Sequence, residues 1–146
     1  EGMAGADRQD PGGGRVTAAR TVDGPGFRIQ YLPGPGYLRA HVFDGVDSID
    51  VSIAMWRMLG AECAAESVDR LLVVEDLAAT VETAELERLA QAMEEAGFAR
   101  IRTAFVELRD DIAGNEFGEI LCRERGMAIR VFSDETEARR WLVYGD

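Results

Sequence analysis

Leu71-Leu72-Val73-Val74 is a run of four apolar residues set between Arg70 and Glu75, with no polar residue among them. A strand with one wet face alternates apolar and polar side chains. A short unbroken run instead fits a strand covered on both faces, as parallel strands are. Two further short apolar stretches, 101–108 and 128–132, follow in the chain, and the segments between them have helical spacing. Strands alternating with helices imply parallel pairing through right-handed crossovers, and hence an α/β fold.

The elements before and between these runs are legible from period and punctuation. Residues 27–32 and 37–43 each alternate, and Pro33-Gly34-Pro35-Gly36 separates them, which predicts a hairpin. Asp47 is the expected N-cap of a long helix, with Ile49, Ile53, Trp56, Gly60 and Cys63 recurring on one face. Residues 75–81 read as a loop. Thr83 is the expected cap of a second helix with Leu86, Leu89, Ala90 and Met93 inward, closed by Gly97-Phe98. A third helix starts near Asn115, with Phe117, Ile120 and Leu121 inward, and stops at Gly126. Asp134 to Glu137 has capping-box spacing ahead of a last helix with Ala138, Trp141 and Leu142 inward. The predicted order is β-β-α-β-α-β-α-β-α.

Residues 1–26 hold seven of the sixteen glycines and no apolar periodicity, so they read as a flexible Gly-rich tail. Glu1-Gly2 ahead of Met3 reads as an added dipeptide. The globular unit is expected over 27–146. Sixteen basic against 27 acidic residues leave a net charge of −11, which speaks against nucleic-acid binding, since neutralising phosphates needs clustered cations. No apolar run approaches the roughly 18 residues that span a bilayer, and no signal-peptide pattern opens the chain, so a cytoplasmic protein without integral membrane association is expected.

The segments 68–77 and 102–106, then Asn115-Glu116-Phe117-Gly118-Glu119, Arg125-Gly126, Arg130-Val131-Phe132, Asp134-Glu135 and Ala138 to Leu142, carry a resemblance. On them, and on the element order, the chain resembles the SpoIIAA-like branch of the STAS superfamily, named for sulfate transporters and anti-anti-sigma factors. The resemblance implies a (βα) superhelix: a five-stranded mixed sheet with four helices on one face. It also implies a noncatalytic domain that binds a small apolar or lipid-like ligand as a carrier or sensor. The alternative it implies is a regulatory module with an anti-sigma-like protein partner. Classical members place an Asp-Ser-Ser-Gly-like sequence where this chain reads Asp76-Leu77-Ala78-Ala79-Thr80-Val81-Glu82-Thr83. Glu82 and Glu85 would repel a phosphate there, so Thr80 and Thr83 are weak candidates and no phosphorylation site is expected.

The remaining chemistry is sparse. His41 is the one histidine and, on an alternating strand, reads as a surface or satisfied side chain. Cys63 and Cys122 read as buried free thiols; with no second histidine, neither a metal site nor a cofactor is expected. Asp110-Asp111 in a strand-to-helix loop reads as solvated charge rather than a hard-cation site. Trp56 is either core packing or, with Met55, Met58 and Leu59 crowded beside it, one wall of a groove. Phe117 and Ile120 would form the opposite wall of that groove, with Glu116 or Glu119 at its mouth. Glu116 and Glu119 also stand as first-turn acids stabilised by the helix dipole, and a third reading makes that pair the working carboxylates of an enzyme. Leu71 to Val74 needs cover on both sides, and Tyr37, Arg39, His41 and Phe43 share one face, so a homodimer through the open sheet face is expected.

Overall fold

The computed structural model describes residues 19–108 and 112–145. Six strands form one sheet: β1 (Arg20–Gly24), β2 (Phe27–Gly34), β3 (Tyr37–Val46), β4 (Arg70–Ala78), β5 (Arg102–Glu107) and β6 (Ile129–Phe132). Four helices join or follow them: α1 (Ile49–Glu66), α2 (Leu86–Glu95), α3 (Ile112–Glu124) and α4 (Glu135–Tyr144). The spatial order of the strands is their chain order. β1, β2 and β3 pair antiparallel, and β3 through β6 pair parallel.

The α/β class is as the sequence predicts, but the sheet has six strands where five are expected. The extra strand is β1, which lies within the stretch read as tail; residues 1–18 of that stretch fall outside the described residues. β1 contributes one apolar side chain to the core, Val22, so no periodicity marks it. It is held instead by its ladder to β2, by the ion pair of Arg20 with Glu62 on α1, and by the Arg20 guanidinium 5.0 Å above the Tyr31 ring. Gly26, at φ +93°, makes the turn between β1 and β2 that an L side chain would strain.

A second difference concerns the helices. They lie on both faces of the sheet, not on one. Because each parallel connection steps the same way along the sheet, right-handed crossovers put α1, α2 and α3 on a single face. There Leu71, Val73 and Leu77 of β4 meet Met55, Trp56 and Leu59 of α1 and Met93 of α2. Helix α4 follows the last strand and is not a crossover, so handedness does not bind it. It packs on the opposite face, where Ala138, Trp141 and Leu142 cover Leu72, Val74, Ala104 and Val106. Arg39 on β3 reaches over to Glu135 of α4 through two hydrogen bonds of 2.7 and 3.2 Å. The cover that Leu71 to Val74 demands on its second face thus comes from the same chain, which removes the main ground for expecting a dimer.

Local starts and stops are mixed in outcome. Asp134 caps α4, accepting from the Thr136 amide at 3.0 Å, and Gly97 and Gly126 take the left-handed conformation after α2 and α3. The cap of α1 is Ser48, whose hydroxyl accepts from the Val51 amide, and not Asp47. Helix α2 begins from a 3-10 turn at Thr83–Glu85 and has no side-chain cap, so Thr83 does not play that part. Strand β4 continues through residues 75–78, read from sequence as loop, because Glu75 and Leu77 keep its alternation and are both buried.

Candidate functional site

The extension of β4 determines where the chemistry lies. In parallel sheets the crevice beyond the carboxyl ends of the strands is the usual place for a ligand. Here that crevice holds a cavity of about 90 Å³, roofed by the first turns of α1, by α2 and by α3. Trp56, Leu86, Leu89, Met93, Phe105, Ile129 and Val131 supply apolar wall, and Asp47, Glu75, Glu107 and Glu119 supply carboxylates. Thr80 lines the cavity and is exposed, so solvent reaches the site beside it.

Glu75, within β4, and Glu107, the last residue of β5, are register partners on the two central parallel strands, so their side chains leave the same face side by side. Glu75 is only 4% exposed and shares a hydrogen bond with Glu107. Burial pushes the Glu75 carboxyl well above the ordinary carboxylate range, and the charges of Asp47 and Glu107 and that hydrogen bond push it the same way. Burial and the neighbouring carboxyl groups thus both favour the protonated form of Glu75. Asp47 is buried as well. Its Oδ1 accepts from the Ser48 amide at 2.8 Å and from the Ser52 hydroxyl at 2.7 Å, and these bonds partly offset the upward push of burial. Glu119 is committed elsewhere: its Oε1 accepts from the Val131 amide at 2.9 Å, and it pairs with Arg123. Among the described lining residues there is no arginine and no histidine.

The residues singled out by sequence divide sharply. Trp56 and Glu119 line the cavity, as do Thr80 and Gly118. Trp56 is also packed, edge-on to Phe98 with ring centres 5.2 Å apart and tilted against Phe105 at 5.8 Å. Leu59 is fully buried in the core and does not reach the cavity, and Met55 lies buried beside it. The crowding of α1 is thus absorbed by a stripe of Ser52, Met55, Trp56, Leu59, Gly60 and Cys63, turned from the predicted one. Phe117 and Ile120 face solvent at 42% and 46% exposure, so neither forms a wall. Glu116 is exposed on α3 and does not join Glu119 at the site. Thr83 lies exposed on the 3-10 turn, outside the lining. Asp110-Asp111 fall outside the described residues.

Sequence reasoning missed Asp47, Glu75 and Glu107 as a set. A signal for two of them existed. Leu72-Val73-Val74-Glu75 and Ala104-Phe105-Val106-Glu107 both follow an apolar run with a glutamate, at equivalent positions of neighbouring strands. Cys63 and Cys122 are buried free thiols, and burial pushes the Cys63 thiol up to about 12 and that of Cys122 to about 11. His41 is half-buried on the other face of the sheet, stacked on Phe43 with ring centres 4.9 Å apart. Among the described residues, no three His, Cys, Asp or Glu side chains are arranged as a metal site. No described helix is long and apolar enough to cross a membrane. No family model matches the chain, and no curated protein matches it.

Proposed function

We propose that the chain is a noncatalytic ligand-binding domain of the SpoIIAA-like STAS type, acting as a carrier or sensor for a small molecule. The observation that carries this reading is the cavity at the carboxyl ends of β3 to β5, apolar on its walls and acidic within. Benzene, with six heavy atoms, occupies a cavity of about 150 Å³, so the 90 Å³ here suits a molecule of about four heavy atoms. That size favours a small amphiphile over a long acyl chain among the ligands the resemblance implies. The reading also includes a homodimer through the strip of sheet that α4 leaves uncovered, where Leu32 is 41% exposed and Arg28 pairs with Phe43 further along the same two strands.

The anti-sigma-like interaction module remains the second reading, favoured by the exposed Thr80 at the cavity mouth. Native mass spectrometry on protein from its own host separates these. A retained small molecule that is lost when Trp56 is changed to Leu supports the ligand-binding domain. A bare chain that carries a kinase-like protein instead would replace it with the interaction module. The same spectra report the dimer or its absence.

A further inference from the structure

We infer that the outer face of α3 is an interface between two copies of this chain, packed antiparallel about a two-fold axis beside Ile120. Helices in folded proteins are held mainly by burying an apolar face. Helix α3 is seated the other way round. Gly114, Asn115, Gly118, Glu119 and Cys122 on its inner side line the cavity, and of these only Cys122 is buried. Phe117 and Ile120 lie about one turn apart on the outer side, and both are exposed. Leu121 beside them is half-buried against the core. The large apolar side chains that would ordinarily seat such a helix are thus offered to solvent.

The charges that flank this stripe identify its cover. Glu116 and Arg123 are seven residues apart, close to two turns of about 3.6 residues, so they share one flank. A two-fold axis that sets two helices antiparallel brings like flanks together with their directions reversed. Glu116 of each copy then meets Arg123 of the other, and the axis falls midway between them. Ile120 packs on its own counterpart there, with a Phe117 on either side. Arg123 already pairs with Glu119 in its own chain, but its side chain is 64% exposed and has further donors for a second carboxylate. One surface therefore carries both halves of its own complement, as an isologous contact requires. A membrane is the poorer occupant, since anionic headgroups repel a chain of net charge −11. The contact is separate from the sheet strip that α4 leaves uncovered, and it does not depend on what the cavity binds.

The test is sedimentation equilibrium of the full chain across the micromolar range, with circular dichroism to establish that each variant folds. Every sample carries Leu32→Glu, which faces Arg39 across the ladder and takes the sheet strip out of play. The expected result is a monomer–dimer equilibrium. Ile120→Lys is expected to raise its dissociation constant about tenfold, because one substitution enters the axis twice. Glu116→Arg and Arg123→Glu are each expected to weaken it by a similar factor, since like charges then face each other at both ends. An equimolar mixture of those two variants is expected to associate again, because each brings the charge that the other lacks, and native mass spectrometry identifies the mixed dimer. Should Arg123→Glu fail to fold, Ile120→Lys and Glu116→Arg decide the matter. A chain that stays monomeric throughout, a dimer that Ile120→Lys leaves intact, or a mixture no more associated than its two components would overturn the assignment. None of these outcomes bears on the cavity as a ligand site.

Discussion

Glu75 shows how one residue can set the pH behaviour of a fold. Between an ordinary carboxylate pKa near 4.3 and its raised folded value, the folded chain keeps a proton that the unfolded chain has released. The folded state binds more protons, so this group's contribution to stability is complete at low pH and declines as the pH rises through that interval. The limiting slope is about 1.4 kcal/mol per pH unit for one proton. Asp47 acts in the same direction. His41, lowered by burial and then by Arg39, runs the opposite way up to about pH 6.5, so the readout must be a difference. Urea unfolding of wild type and Glu75→Gln is expected to show the variant gaining on wild type as the pH rises from 5 towards the raised folded value of Glu75. Parallel curves would mean that Glu75 carries no proton in the folded state.

At the scale of elements, two helical glycines make opposite predictions. Gly60 lies where α1 crosses the end of α2; a Cβ there would stand 2.6 Å from the carbonyl oxygen of Ala96 and 3.2 Å from the Phe98 ring. The gain of about 1 kcal/mol from replacing a helical glycine with alanine is outweighed by overlap with backbone that cannot rotate away. Gly60→Ala is expected to cost about 1–3 kcal/mol. Gly118, on α3, has no atom within 4 Å of its would-be Cβ, so it serves no close approach. Gly118→Ala is expected to stabilise by about 0.5–1 kcal/mol. Thermal unfolding of both variants decides whether helix contact or helix propensity governs each position.

For the whole molecule, the decisive arrangement is one sheet clad unequally on its two faces. Three crossover helices cover one face, while α4 alone covers β4 to β6 on the other. Trp141 is held there by the Arg102 guanidinium, 3.8 Å above its ring and bonded to its carbonyl oxygen at 3.0 Å. Leu142 is fully buried, and Leu142→Ala is expected to cost about 2–5 kcal/mol in urea unfolding. Ending the chain at Ser133 would bare Leu72, Val74, Ala104 and Val106 together, an apolar patch of the kind that drives association. Light scattering is expected to show that truncated chain as oligomers or aggregates at concentrations where the full chain has one defined mass. A truncated chain of unchanged mass would mean that α4 is dispensable cover.

The sequence by itself determined the alternation of strands and helices, because period and punctuation are local properties. Leu71 to Val74 announced a doubly covered strand, Gly97 and Gly126 announced helix ends, and Asp134 announced a cap. It could not assign the cover on the second face, since Ala138, Trp141 and Leu142 form an inward stripe whichever face they meet. Only the tertiary structure chose, because α4 makes no crossover and the apolar face beneath it was vacant. The same division runs through the site. Trp56 and Glu119 were legible as large or charged residues on helices, whereas Phe117 and Ile120 were assigned inward by spacing and turned outward by the seating of α3. Glu75 and Glu107 stand 32 residues apart in sequence, and Asp47 in a third segment. Their meeting at one cavity exists only once β4 and β5 lie in register.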